Sequence, residues 1–137
     1  MSSPAGIGID LAEPDTFAHL NRTAIERAAH RWLTPAERSW CARQPSFRRA
    51  MVTVLSCKES VYKAWGGAVA VHHVELTLAG EESRGWASAT APGQEPVTVW
   101  WNAMSEHILS VAVAGHPDQA RELADRIIRG RCGAESG

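Results

Sequence analysis

Three charged residues lie within six positions in the segment SCKESVYKAWGG, which spans residues 56–67. Lys58 and Glu59 are adjacent, and Lys63 follows Glu59 at the i,i+4 spacing of one helical turn. A Glu–Lys pair at this spacing commonly forms a surface salt bridge that contributes about 0.2–0.5 kcal/mol. The alternative is chemical: a carboxylate that binds a hard cation, beside an ammonium that neutralises phosphate charge. The presence of a second acidic ligand nearby would favour the cation site over the surface salt bridge.

A candidate for that second ligand lies near the N-terminus, in GIGIDLAEP. Asp10 ends residues 5–10, which read as a short buried strand, and Glu13 follows three residues later. A carboxylate at the end of a buried strand costs free energy unless it is paired or binds a cation. Asp10 could cap a turn through an Asx-type hydrogen bond, or it could join Glu59 on a divalent cation whose shell a phosphate completes.

The spacing of Glu59 and Lys63 has meaning only on a helix, and the apolar pattern predicts one over residues 47–65. Apolar residues recur there every three or four positions, Ser46 is the candidate N-cap, and Gly66-Gly67 end the helix. Earlier in the chain, LTPAERSWC predicts a helix start with Thr34 as N-cap. A helix is also predicted from Thr23 to residue 33, and a short one over residues 16–21.

After the glycines the apolar period changes to two, which predicts strands over residues 71–78, 86–91, 97–101 and 108–114. Trp100 and Trp101 must then point to opposite faces, and one of them is expected at a subunit contact. An amphipathic helix is predicted over residues 117–130. We therefore expect one α+β domain over residues 1–137: an N-terminal strand and helices, one long central helix packed on an antiparallel sheet, a C-terminal helix, and a disordered tail over 131–137.

Composition excludes several classes of protein. A net charge of −1 gives no basic field for nucleic acid, and no apolar run is long enough to span a membrane. Three widely spaced cysteines and the absence of a signal-peptide pattern predict free thiols in the cytoplasm. No His or Cys pair has the spacing of zinc ligands.

The segments GIGIDLAEPDTF, LTPAERSW and SCKESVYKAWGG resemble, in order and at about the right spacing, three motifs of the 4′-phosphopantetheinyl transferases. Together they cover about residues 6–67. The length of the chain and the Asp10-x-x-Glu13 spacing are similar to the compact form of the family, holo-acyl-carrier-protein synthase. That form assembles as a trimer with active sites between subunits, so the resemblance implies a homo-oligomer.

The resemblance implies a reaction and a set of residues. Asp10 and Glu59 would hold Mg²⁺ with the pyrophosphate of coenzyme A, and Lys63 would steady the phosphate charge. The serine hydroxyl of an apo acyl carrier protein would attack the β-phosphate and release 3′,5′-adenosine bisphosphate. Glu59 or a metal-bound water would accept the serine proton. Additional groups expected to contact coenzyme A are Lys58, Arg48, Arg49 and Gly66.

The chain departs from the compact pattern at two places. Val54 stands where that form has a basic residue, and the segment from Gly93 to Pro96 leads directly to a strand, with no room for the helix expected there. Two alternatives therefore stay open: a catalytically degenerate module that binds a carrier protein, and a plain α+β interaction domain. A carrier protein is acidic, so we expect it to dock on the arginines of the early helices, Arg27, Arg31, Arg38 and Arg43.

Overall fold

The long central helix, α3, organises the fold in a computed structural model that describes residues 6–115 and 117–136, without the side chains of residues 117 and 131–136. It spans Phe47–Ala64, and the Ser46 side chain accepts a hydrogen bond from the Arg49 amide, as the predicted N-cap should. Gly66 and Gly67, with φ of 65° and 77°, follow its end in the left-handed region that favours glycine. Both predicted ends are confirmed to within one residue.

Two shorter helices precede α3. Helix α1 spans Arg22–Trp32 and is capped by Asn21, and helix α2 spans Pro35–Ala42. At the start of α2 the Thr34 side chain accepts from the Glu37 amide while the Glu37 carboxylate accepts from the Thr34 amide, which is the predicted capping box.

Five strands form one antiparallel sheet in the order β1-β5-β4-β3-β2. Strand β1 is at one edge and pairs with β5, so that Asp10 lies directly opposite Ser110. The predicted α+β class is confirmed, and the N-terminal strand joins the same sheet as the four later ones. The strands are β1 Ile7–Ala12, β2 Glu75–Gly80, β3 Arg84–Thr90, β4 Val97–Ala103 and β5 Ile108–Ala114.

The two faces of the sheet are covered by different helices. Helix α3 packs on the inner face, where Trp101 is buried in the main core. Helix α4, Pro117–Ser136, packs on the outer face against β5 and β4, and Trp100 lies in that second cluster. The opposite orientations of the two tryptophans are therefore confirmed, and Trp100 contacts α4 of its own chain. The expected subunit contact of one tryptophan stays a prediction.

Three segments differ in secondary structure from the sequence prediction. Residues 16–21 form consecutive turns in place of a helix, since Thr16, Ala18 and Leu20 each donate to the carbonyl three residues earlier. Val71–His73 form a 3₁₀ turn, so the strand predicted over residues 71–78 begins only at Glu75, as β2. Helix α4 continues past residue 130 to Ser136, where a disordered tail over 131–137 was expected, and residue 137 lies outside the described residues.

Among the helices of the described ranges, none combines the length and the apolar character needed to cross a bilayer.

Candidate active site at the β1–α3 edge

Two glycines allow strand β1 to lie directly against α3. A Cβ added to Gly8 would be 1.7 Å from the carbonyl oxygen of Ser60, and one added to Gly6 would be 1.8 Å from that of Ala64. Any side chain at these positions would push the strand away from the helix. The glycines of GIG therefore have a steric reason, and the close approach brings the next inward-facing residue, Asp10, onto the helix.

The two carboxylate oxygens of Asp10 have different neighbours. Oδ2 accepts a hydrogen bond from the Ser56 hydroxyl at 2.7 Å. Oδ1 lies 3.4 Å from the Lys63 ammonium, which also donates to the Ile9 carbonyl at 2.9 Å. The Asp10 side chain is 19% exposed and that of Lys63 48%. One oxygen therefore faces the interior, and the other faces the open edge of the sheet.

Glu59 lies on the same side of α3 as both residues that touch Asp10. Ser56, Glu59 and Lys63 have the spacing i, i+3 and i+7, which places them along one side of a helix. Glu59 is exposed, and within the described ranges its carboxylate has no hydrogen bond or ion pair. The surface salt bridge to Lys63 that the spacing allowed is therefore not formed, and Lys63 pairs with Asp10 instead.

Three buried serine hydroxyls lie on the interior side of Asp10. Ser56 and Ser60 are one turn apart on α3, and Ser110 is the cross-strand partner of Asp10 on β5. The Ser110 hydroxyl lies 2.8 Å from that of Ser56, and it also contacts the Ser60 hydroxyl. Sequence reasoning missed all three. The available signal was a pair of serines at i,i+4 on the buried side of a helix, together with one serine inside the apolar run ILSVAVA.

Asp10 and Glu59 suit a small, hard cation that keeps other ligands. In the described part of the chain, no group of three or more His, Cys, Asp or Glu side chains could hold a metal ion. Two carboxylates supply only part of an octahedral oxygen shell, and Mg²⁺ commonly takes the remainder from water and substrate phosphates. The donor set therefore fits the predicted Mg²⁺ with phosphate. Glu13, the other predicted acid, has an exposed side chain in the turn after β1.

Lys58 does not face this edge. Its ammonium lies 2.7 Å from Glu37 Oε1 and donates to the Trp32 carbonyl at 2.9 Å, and its side chain is 1% exposed. The other Glu37 oxygen accepts from the Leu76 amide at 2.7 Å. Lys58 was expected to bind coenzyme A, and this expectation needs correction. Its ammonium is buried in an ion pair with Glu37 and is not accessible to a ligand. The residue joins α3 to α2 and β2.

The other predicted contacts of coenzyme A lie at the two ends of α3. Arg48 donates to the Leu20 carbonyl at 2.6 Å, and Arg49 lies 3.2 Å from Asp15, so both arginines hold the turns after β1. Arg49 is seven residues before Ser56, about 10 Å along the helix axis. Gly66 is exposed, with open space where a Cβ would be. Roles of these three residues in binding stay predictions.

The two described cysteine thiols are buried, and both are free. Burial, followed by the charge of Asp10 and then that of Glu37, raises the pKa of the Cys57 thiol well above its usual value. Burial and the charges of Glu37 and Glu82 raise the pKa of Cys41 to about 12. Because the thiolate is the nucleophilic form, neither cysteine is a nucleophile at neutral pH.

Comparison with proteins of known structure identifies a similar fold. The crystal structure of the holo-[acyl-carrier-protein] synthase of Neisseria meningitidis superposes with a TM-score of 0.64 at 19% sequence identity. The match covers 81% of this chain and 98% of the other. No curated protein sequence matches the chain.

The sequence itself matches a family model. Residues 6–111, which include β1, α3 and most of β5, match the model of the 4′-phosphopantetheinyl transferase superfamily. The match contains Asp10, Glu59 and Lys63, and helix α4 lies outside it. The chain therefore belongs to the 4′-phosphopantetheinyl transferase superfamily.

Proposed function

We propose that this chain transfers the 4′-phosphopantetheine group of coenzyme A to a serine of an apo acyl carrier protein, in the manner of a holo-[acyl-carrier-protein] synthase. The observation that carries the proposal is the placement of Asp10 and Lys63 in contact at the open β1–α3 edge, with Glu59 on the same side of the helix and without a partner among the described residues. Family membership supplies the reaction class.

Asp10 and Glu59 would hold Mg²⁺, and the phosphates of coenzyme A would complete its shell. When bound, the ion neutralises charge on the pyrophosphate during phosphoryl transfer. Asp10 offers Oδ1 to the edge because Oδ2 is bonded to Ser56. Glu59 can bind the cation without breaking another contact, since its carboxylate has no hydrogen bond or ion pair within the described part of the chain.

Lys63 is placed to contact a phosphate oxygen. An ammonium has three N–H donors, and two of those of Lys63 are directed to the Ile9 carbonyl and Asp10 Oδ1. The third is available to the β-phosphate of coenzyme A. A fixed positive charge at this point stabilises the negative charge that develops on the phosphate oxygens in transfer.

The proposed transfer forms one phosphorus–oxygen bond and breaks another. The carrier-protein serine oxygen attacks the β-phosphorus, and the bond from that phosphorus to the bridging oxygen breaks. The bridging oxygen and its electron pair leave with 3′,5′-adenosine bisphosphate. Glu59 is the group of this chain that we assign to accept the serine proton, because its carboxylate is exposed and unpaired in the described ranges.

The acidic carrier protein would dock on α1 and its neighbours. Arg27 and Arg31 are exposed on α1, and the Arg31 guanidinium lies over the half-exposed Trp32 ring, 5.3 Å from its centroid. Arg43, after α2, is also exposed. Arg38 is less free than expected, because it donates to the Leu33 carbonyl at 2.8 Å.

We also propose that copies of the chain associate, in a trimer if the compact form is followed, and that the protein acts in the cytoplasm. Strand β1 is an edge of the sheet, and Ile7 and Leu11 on it are about half exposed. Exposed apolar side chains on an edge strand are typical of an interface. Size-exclusion chromatography with light scattering measures the oligomeric state directly.

Intact mass of an apo acyl carrier protein, after incubation with the chain, coenzyme A and Mg²⁺, tests the transfer. We expect a phosphopantetheine-sized mass gain that is lost with EDTA and with Glu59→Ala. Glu75→Ala is the matched control, because Glu75 is an exposed glutamate on β2 at the far edge of the sheet. No gain with fatty-acid, polyketide or peptide carrier proteins would overturn the proposal in favour of a degenerate module.

A further inference from the structure

The three serine hydroxyls behind Asp10 have no part in the transfer step described above. Ser56 is 3% exposed, and Ser60 and Ser110 are fully buried. All three lie on the inner face, where β1 and β5 meet α3. Burying a polar group costs desolvation free energy unless the group is hydrogen-bonded. We therefore ask which hydrogen bonds these three hydroxyls make and what the bonds do to Asp10.

The Asp10 carboxylate restricts which of these hydroxyls donates at each contact. An ionised carboxylate accepts and cannot donate, so the Ser56 hydroxyl donates to Asp10 Oδ2. With its hydrogen on Asp10, Ser56 can only accept at its 2.8 Å contact with the Ser110 hydroxyl. Ser110 has one hydrogen, which it donates there, to the Ser56 carbonyl at 3.0 Å, or to the Ser60 hydroxyl. Ser60 in turn donates to Ser110, to either its hydroxyl or its carbonyl oxygen. The three hydroxyls thus form one connected cluster, and Ser56 is its member that bonds to Asp10.

The chain of hydroxyls makes the two oxygens of Asp10 unequal. Oδ2 is held inward by the Ser56 hydroxyl, which is itself in contact with the Ser110 hydroxyl, while Oδ1 is left toward Lys63 and the open edge. A cation at this edge would receive one oxygen from Asp10. Calcium accepts bidentate carboxylates in a flexible shell of six to eight oxygens, whereas magnesium requires a near-octahedral shell.

We propose that Ser56 is a positioning residue that makes Asp10 a one-oxygen ligand and thereby selects magnesium-sized cations over calcium, with Ser110 orienting Ser56. The inference rests on the proposed function, since it concerns the same cation site. Outer partners of metal ligands commonly change metal affinity 10- to 100-fold when they are removed, so the effect of Ser56 is measurable.

The experiment measures Mn²⁺ binding to the full chain in the presence of coenzyme A, from the free-ion signal in electron paramagnetic resonance. Mg²⁺ and Ca²⁺ are then added as competitors, and the ratio of their affinities is taken. We expect Ser56→Ala to lower Mg²⁺ affinity about 10- to 100-fold and Ca²⁺ affinity less, so that the ratio falls. Ser110→Ala should lower the ratio to a smaller extent.

Thr53→Val is the matched control. Thr53 also carries a buried hydroxyl on α3, but it bonds to the Arg49 and Glu82 carbonyls and has no contact with Asp10. A merely structural role for buried hydroxyls would lower the melting temperature of both variants and leave the ratio of affinities unchanged. Thermal melts followed by circular dichroism verify that each variant is folded before the titration.

The outcomes separate the two proposals. A wild-type chain that transfers phosphopantetheine, with an unchanged Mg²⁺ to Ca²⁺ ratio in Ser56→Ala, overturns the role of Ser56 and leaves the proposed function intact. A wild-type chain that neither binds Mn²⁺ nor modifies any carrier protein overturns both. A lowered ratio in Ser56→Ala, with Thr53→Val like wild type, supports the inference.

Discussion

Lys58 and Glu37 form a fully buried ion pair, with the ammonium 2.7 Å from Oε1 and side chains 1% and 0% exposed. Three hydrogen bonds further compensate the burial of the two charges. Glu37 accepts from the Thr34 and Leu76 amides, and Lys58 donates to the Trp32 carbonyl. The lysine next to the predicted catalytic glutamate is thus part of the framework that joins α2, α3 and β2.

The first prediction concerns this pair. Lys58→Met leaves the Glu37 carboxylate buried without its counter-charge, and removing one partner of a buried pair typically costs about 3–5 kcal/mol. We expect a loss of that size in the free energy of unfolding, measured by urea denaturation. Arg22→Ala, which removes an exposed ion pair with Glu26, should cost less than about 1 kcal/mol. A stable Lys58→Met chain with weakened coenzyme A binding would restore the original assignment.

The second prediction concerns Gly8. Gly8→Ala places a methyl group 1.7 Å from the Ser60 carbonyl oxygen, so β1 must move away from α3 and take Asp10 with it. We expect a lower melting temperature and weaker Mn²⁺ binding together. Gly130→Ala is the control, since Gly130 lies in α4 with open space around it, and alanine there should stabilise the helix by up to about 1 kcal/mol. Unchanged Mn²⁺ affinity in Gly8→Ala would contradict the steric argument.

How far the sequence could predict the molecule is clear from these residues. Helix ends were predictable because caps are local: the Thr34–Glu37 box, Ser46 and Gly66 act within a few residues of one another. The partners of Asp10 were not, since Ser56 is 46 residues away and no local rule connects them. Lys58 was misassigned for the same reason, because a motif shows which residues are adjacent in the chain and not which face of the helix each one occupies.

The third prediction concerns Lys63. Loss of one preorganised charge or donor at a developing oxyanion typically lowers kcat about 100- to 1,000-fold, and we expect that loss for Lys63→Ala in a carrier-protein mass assay. The side chain is 48% exposed, so the melting temperature should change little. Activity within a few-fold of wild type would remove Lys63 from the reaction and leave its contact with Asp10 as a surface ion pair.

The fourth prediction concerns the cysteines. Folding raises the pKa of Cys41 from 9.0 to about 12 and shifts that of Cys57 in the same direction. An acid whose folded pKa is raised stabilises the fold fully below the unfolded pKa, and this contribution is lost as pH rises from about 9 to about 12. The urea midpoint should therefore fall over this range more steeply in wild type than in Cys41→Ala. Parallel curves would contradict the shift.

The fifth prediction concerns docking of the carrier protein. Arg27 and Arg31 are exposed one helical turn apart on α1, and neither lies in contact with Asp10 or Lys63. Charge reversal, Arg27→Glu with Arg31→Glu, should raise KM for an acidic carrier protein and weaken the dependence of kcat/KM on salt, because complementary charge mainly accelerates encounter. The affinity for Mn²⁺ with coenzyme A should stay at the wild-type value. Arg126→Glu on α4 is the control, and an equal rise in KM for this variant would show that net charge, and not the α1 surface, governs docking.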